Sequence, residues 1–265
     1  MKIEMYDIIP ELQPYVKVIS SVENPAGSAA PCTFRVFPDT CVEVFFGYNN
    51  STIANINAKA PFDSSKSFVT SRLSRYMDVQ LPPGSSSIAV CFHPGAAFPF
   101  FHLPMKELTD DSILLVDLWG EKTNKLEDTL SCCNNHRERV SAIQTFLWGF
   151  IYQEPPNNDL FKFCLLQINK FKGQMPLKLL SKKINISQRQ LSRQFNSFLG
   201  LAPKEFSRIT RFLSSLYYIK KYPSYSLTQI AYESGYFDQA HFIHDCREFT
   251  GFTPKELITS KDVIF

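Results

Sequence analysis

The chain has 265 residues, 44% of them hydrophobic, with 28 Lys and Arg against 25 Asp and Glu. That content supplies packed cores for one large domain or two ordinary ones and excludes a disordered chain. No apolar run reaches the roughly 18 residues of a membrane helix, so no membrane association is expected.

The net charge of +3 averages two unlike halves. Residues 1–155 hold 12 basic and 17 acidic side chains, and residues 156–265 hold 16 and 8. A basic second half points to a polyanionic partner for that half alone. The stretch Met1–Val16 carries acids and prolines where a signal peptide needs an apolar centre, so a cytoplasmic location is expected. Seven irregularly spaced cysteines fit a reducing compartment better than a disulfide framework.

Residues 1–118 read as strands and turns. Runs rich in β-branched and aromatic residues (Cys32–Phe37, Cys41–Tyr48, Ser67–Leu73, Ile88–His93) alternate with turn clusters such as Asn49-Asn50-Ser51 and Pro82-Pro83-Gly84. This spacing predicts a β-sandwich or small barrel, with Pro94–Pro104 as an ordered loop over it. Leu126 and Leu130 begin a helical pattern that Val140, Ile143, Leu147, Phe150 and Ile151 continue as one apolar face. Glu154-Pro155-Pro156-Asn157-Asn158 then reads as a linker, and the remainder reads as helical. The expected fold is α+β in two domains. Residues 1–155 form a β-rich domain with an amphipathic helix, and 156–265 an all-α double helix-turn-helix.

An internal repeat supports the second assignment. Ile186–Phe206 aligns without gaps on Phe237–Leu257 at an offset of 51, placing Gly200 on Gly251 and Pro203-Lys204-Glu205 on Pro254-Lys255-Glu256. Upstream at the same offset, Leu179-Leu180-Ser181 meets Ile230-Ala231-Tyr232. Each copy has the parts of a helix-turn-helix. Ser187 with Gln190, and Ser226 with Gln229, are capping boxes; Asp238 caps the last recognition helix. Leu191, Phe195 and Phe198 face inward in the first unit, and Phe242, Cys246 and Phe249 in the second. Pro203 opens a long helix between the units.

These residues resemble the DNA-binding domain of the AraC/XylS family of bacterial transcription regulators. The resemblance runs from about Lys178 to Leu257 and is carried by Gln190–Phe195, Gly200-Leu201-Ala202-Pro203, Gln229-Ile230-Ala231, Gly235–Phe242 and Gly251-Phe252-Thr253-Pro254. The first half is similar to the sensing domain of one subfamily, through Phe92-His93-Pro94-Gly95-Ala96, Glu107-Leu108 and Leu118-Trp119-Gly120. The resemblance implies an activator or repressor whose recognition helices, 187–198 and 238–249, enter neighbouring major grooves. Two positions depart from the pattern: His244 and Cys246 stand where Arg and Phe are usual, which weakens reading in the second groove.

From Leu160 to Lys221 there are 13 basic residues and one acid, Glu205. Such a charge is costly to assemble without a polyanion, and double-stranded DNA is the expected partner. Gln188, Arg189, Ser192 and Arg193 are expected to read bases in the first groove, and Gln239, Ala240, His241 and His244 in the second. An Arg fork on guanine is the commonest specific contact. Lys182, Lys183, Lys204 and Arg208 are assigned to phosphates, which set register without reading sequence.

Three readings of the first half compete. It binds a small-molecule effector inside the barrel, with Phe34, Phe45, Tyr48, Phe92, His93 and Phe98 as lining. It forms a homodimer through Val140, Ile143, Leu147 and Phe150, unless that stripe packs on its own barrel. Or it contacts another protein such as RNA polymerase. No catalytic residue, metal site or cofactor is expected. Cys132, Cys133 and His136 lack a fourth ligand at a regular zinc spacing, and no nucleophile-elbow, phosphate-loop or dinucleotide motif occurs. The alternative from another class is a β-barrel small-molecule enzyme fused to a DNA-binding domain.

Overall fold

The computed structural model describes residues 1–48, 54–55, 66–70, 73, 75–101, 103–108, 112–151 and 159–260. The Asn49-Asn50-Ser51 separator and the Glu154–Asn158 linker lie outside the described residues. Among the described residues, nine strands form two antiparallel sheets. They are β1 (Lys2–Tyr6), β2 (Val16–Glu23), β3 (Cys32–Val36), β4 (Glu43–Phe46), β5 (Ala54–Asn55), β6 (Phe68–Thr70), β7 (Met77–Leu81), β8 (Ser86–Phe92) and β9 (Ser112–Leu114). The larger sheet runs β1-β2-β8-β4-β6-β9 and the smaller β3-β7-β5, so among the described residues the strands make two open sheets rather than a closed barrel.

Side chains alternate between the two faces of a strand, and the larger sheet uses both. Ile19, Val44, Phe46, Val69, Ile88 and Val90 lie on one face and are buried in a single apolar cluster. Helices cover that face. The Pro- and Phe-rich segment expected as a loop, Pro94–Pro104, holds a one-turn helix, α1 (Phe98–Phe101), and a 3-10 turn, Met105–Leu108, follows it. Then come α2 (Leu115–Trp119), α3 (Glu121–Cys132) and α4 (His136–Trp148). The amphipathic pattern is two helices, because Asn135 caps α4 by accepting from Glu138 N. Its apolar stripe packs on its own domain. Ile143 and Leu147 are fully buried, Val140 is nearly so, and Phe150 packs against the same cluster. That corrects the expected homodimer stripe: side chains already out of water offer no further apolar surface to a second copy.

The remainder is helical: α5 (Asp159–Lys170), α6 (Leu177–Lys183), α7 (Gln188–Phe198), α8 (Pro203–Lys221), α9 (Leu227–Glu233), α10 (Gln239–Thr250) and α11 (Pro254–Thr259). Their apolar faces form a second cluster around Phe195, Phe206, Ile209, Phe212 and Phe242. This cluster also takes in Phe37, which follows β3 and meets the Phe212 ring edge-on at 6.1 Å between centroids.

The N-terminal half touches both repeat units at equivalent glycines, through the Met105 turn in the first and through Arg35 and Tyr76 in the second. Gly200 has φ 74, and a Cβ there would lie 2.6 Å from Met105 O. Gly251 has φ 76, and its Cβ would lie 2.7 Å from the Tyr76 ring and 2.9 Å from Arg35 Nη1. Arg35 forks onto Asp78 (Nε–Oδ1 2.6 Å, Nη2–Oδ2 2.8 Å) and donates from Nη1 to Thr250 O, 3.0 Å, at the end of α10. Its guanidinium also stacks on Tyr76 and Phe252, 3.9 and 4.7 Å from the ring centroids. Gly251→Ala is therefore expected to destabilise the protein in urea unfolding by at least about 1–2 kcal/mol, the cost of a left-handed non-glycine residue. Gly27→Ala, with nothing within 4 Å of the added carbon, is the comparison variant and should be close to neutral.

Candidate nucleic-acid interface

In the first unit Asn185 turns the chain with a left-handed backbone, φ 56, and Ile186 N donates to Ser181 O at 3.1 Å. Ser187 then caps α7 reciprocally: Gln190 N donates to Ser187 Oγ (3.2 Å) and Ser187 N to Gln190 Oε1 (2.9 Å). The Gln190 oxygen is thereby withdrawn from base reading. Leu191 and Phe195 are buried and Phe198 is half-buried. On the opposite side Gln188, Arg189 and Arg193 are exposed, with Ser192 half-buried. Arg189 and Arg193 stand about one turn apart, and neither is paired with a carboxylate among the described residues. Lys182, Lys183 and Lys204 are exposed at this end of the molecule's basic half.

The second unit repeats the pattern with one change. Ser226 and Gln229 form the expected capping box on α9, Gly235 takes φ 93, and Tyr236 N donates to Ala231 O at 2.9 Å. Asp238 Oδ1 caps α10 by accepting from His241 N, 2.7 Å. Leu177–Lys183 maps onto Leu227–Glu233 at an offset of 50, with the buried pair Leu180-Ser181 on Ile230-Ala231. The recognition helices match at 51. The uniform ungapped alignment is thus corrected upstream: the second turn holds one extra residue. Ile186 and Tyr236 are equivalent because both close the turn with the same bond to the fifth residue back. The extra residue, Phe237, is 85% exposed. An apolar residue just before an N-cap ordinarily packs back onto the first turn of its helix. This one does not, and the repeat alignment concealed it by pairing it with Ile186.

Of the second set, Ala240, His241 and His244 are exposed. The His241 ring meets Tyr236 edge-on at 5.2 Å, and Gln239 Oε1 accepts from Thr228 Oγ1 at 2.7 Å, tying α10 to α9. Arg208 is corrected. Its Nη2 donates to Asp245 Oδ1 (2.7 Å) and Glu248 Oε2 (2.6 Å), with Nη1 on Glu248 Oε1 at 3.3 Å. Burial opposes its charge, but the two carboxylates outweigh that and raise its proton affinity further. A guanidinium already neutralised in this way fixes α10 against α8 and is not free for a phosphate.

The effector lining is corrected as well. A cavity of about 250 Å³ lies between the two sheets, and of the six expected residues only Phe34 and Phe45 line it. Phe92 is fully buried in the helix-covered core, and His93 is exposed. Tyr48 hydrogen-bonds Ser86 and His136, and Phe98 packs on Phe198 of α7 at 5.1 Å. Sequence reading missed Glu43, which lies deep in the protein yet keeps accessible surface because it faces the cavity. Burial, reinforced by Asp39 and opposed by Lys17, pushes its carboxyl up to about 7. Strict alternation along β4 was the available signal, since Val44 and Phe46 point to the apolar cluster and Glu43 and Phe45 away from it.

Two capped helix-turn-helix units joined by α8 define the class, a double helix-turn-helix domain. Residues 180–260 match the family described as a helix-turn-helix domain, and this C-terminal region is of the AraC type. Residues 8–114 match a domain of unknown function (DUF6597). A comparison with curated proteins finds no match. Among solved structures, the chain is similar to ToxT from Vibrio cholerae at 13% identity, covering 86% of this chain and 97% of that one, with a TM-score of 0.47. The DNA-binding domain of AdpA, a global transcriptional factor in complex with a target DNA, matches at 20% identity over 40% of this chain and 91% of its own, TM-score 0.33. The AraC-like transcriptional activator CuxR matches at 13% identity over 82% and 86%, TM-score 0.30. No helix among the described residues is long and apolar enough to cross a membrane.

Glu43 makes stability depend on pH. Its folded proton affinity, about 7, exceeds the ordinary 4.5, so the folded chain keeps a proton that the unfolded chain releases between these values. The contribution is complete below pH 4.5 and is lost as pH rises through 7. The stability of Glu43→Gln relative to the native chain is expected to rise over this window by roughly 2–3 kcal/mol, read by urea unfolding at each pH.

Proposed function

We propose that the chain is a sequence-specific transcription regulator in which α7 and α10 read adjacent major-groove segments and the cavity between the sheets senses a small molecule. The observation that carries the first part is the pair of capped recognition helices, each with its apolar side buried and its polar side exposed. Two such helices on one connecting helix suit sites about one DNA turn, roughly 34 Å, apart. Arg189 and Arg193 supply guanine-reading forks, with Gln188 and Ser192 beside them. Ala240, His241 and His244 supply a weaker second reading surface. Phe237 adds an apolar side chain at the entry of α10, suited to a thymine methyl. Lys182, Lys183 and Lys204 hold phosphates.

Sensing is supported by how β3 is placed. Phe34 and Val36 line the cavity, while Arg35 between them points to the other face and holds Thr250 at the end of α10. A molecule that favours one position of β3 therefore favours one position of α10, which is the differential contact that coupling two sites requires. The domain division at about residue 155 belongs to the same reading, with a sensing half and a DNA-binding half.

Arg193→Ala is expected to lose about 1–3 kcal/mol of discrimination at one base position. Lys183→Ala should instead weaken binding to all sequences alike and reduce the slope of log affinity against log salt by about one. Both are read by fluorescence anisotropy on DNA selected from a random pool and on unselected DNA. Equal losses on the two DNAs for both variants would remove Arg193 as a base reader.

A further inference from the structure

The two faces of the larger sheet differ in chemistry. The helix-covered face is apolar, as a filled core requires. The cavity face carries Ser20, Thr70, Ser87, Ser112 and Glu43. A polar group taken from water without a partner costs free energy, and two groups on this wall, Glu43 and Ser87, bear that cost. Glu43 has no hydrogen bond or ion pair among the described residues. Ser87, 4% exposed on the same wall, has a hydroxyl with no partner among the described residues. The opposite wall, from β3 and β7, is apolar: Phe34, Val36, Met77, Val79 and Leu81.

The charges around Glu43 select the ligand. Asp39 is the other ionisable carboxyl on the lining, and no basic side chain is among the described lining residues. Cys91 pairs with Glu43 across β8, and Cys41 lies beside Asp39. Lys17, the cation that acts on Glu43, places its ammonium on Cys41 Sγ at 3.7 Å. An anionic ligand would meet two carboxyls, and a neutral one would leave Glu43 without a counter-charge. At about 250 Å³ the space is smaller than the roughly 300–1,000 Å³ of drug-sized sites. We propose that this cavity binds a small apolar molecule bearing one ammonium group, with the ammonium on Glu43 and the apolar body against β3 and β7. The inference rests on the sensing reading of the cavity and names its ligand class.

The test uses the full chain and three matched probes, phenethylamine, phenethyl alcohol and phenylacetate, in isothermal titration calorimetry. The amine should bind about tenfold or more tightly than the alcohol, and phenylacetate should be the weakest of the three. Glu43→Gln should abolish the preference for the amine while leaving alcohol binding unchanged. A second measurement needs no variant: near pH 6, amine binding should release up to about one proton as Glu43 ionises, seen by repeating the titration in buffers of different ionisation enthalpy, and alcohol binding should release none. Failure of the amine to bind, equal binding of alcohol or phenylacetate, absence of proton release, or an amine preference that survives in Glu43→Gln overturns the proposal. Affinity for selected DNA, measured with and without the amine, separates the two readings. Amine binding with unchanged DNA affinity supports the site and overturns only the sensing role. A DNA affinity shifted by another small molecule, with no amine binding, does the reverse.

Discussion

The contact on which the arrangement of this molecule depends is the one Arg35 makes. A guanidinium has five donors in a rigid plane, and here they are divided between two parts of the chain. The fork is occupied by Asp78 on the neighbouring strand, which holds the group in one orientation. The remaining nitrogen reaches Thr250 O, where the carbonyls at the end of α10 favour a positive charge. Tyr76 and Phe252 stack on that plane. Gly251 exists at this point because no larger residue fits beneath that stack. Gly200 plays the same part in the first unit against Met105. The strand-rich half thus touches both units of the repeat at the same motif position.

That docking gives the larger sheet two distinct tasks. Its helix-covered face is an ordinary apolar core, in which α3 and α4 bury Leu126, Leu130, Ile143 and Leu147. Its other face, across a cavity from β3, carries the Glu43 carboxyl and the Ser87 hydroxyl, neither with a hydrogen-bond partner among the described residues. The burial of Glu43 is therefore a cost to the fold. Because β3 is both the cavity wall and the carrier of Arg35, the cost sits one strand away from the end of a recognition helix.

The second half was the more legible in the sequence. Capping boxes at Ser187 and Ser226 and inward faces such as Leu191 and Phe195 are local signals, written within a turn or two of chain and stated twice by the repeat, and the helices appear where those signals place them. The extra residue at Phe237 escaped because an ungapped alignment has no means of marking a one-residue change in a turn. The first half was legible as strands but not as a site. Periodicity shows that Val140, Ile143 and Leu147 share a face; it is silent on whether a second copy or the chain's own sheet covers that face. Composition likewise marks Tyr48, Phe92 and Phe98 as aromatic without saying which of them border empty space.

By itself, then, the sequence determined what depends on near neighbours: the helix boundaries and caps, the repeat, the AraC-type character of residues 180–260 and the basic surface of that half. Tertiary structure alone decided the pairings between distant segments. It placed β2 beside β8, Arg35 against Thr250 and Arg208 against Asp245, and it left Glu43 facing a cavity. The physical reason is range. Capping and periodicity act within a turn or two of chain, whereas the partner of a charge and the filling of a core are set by whichever segment folding brings alongside.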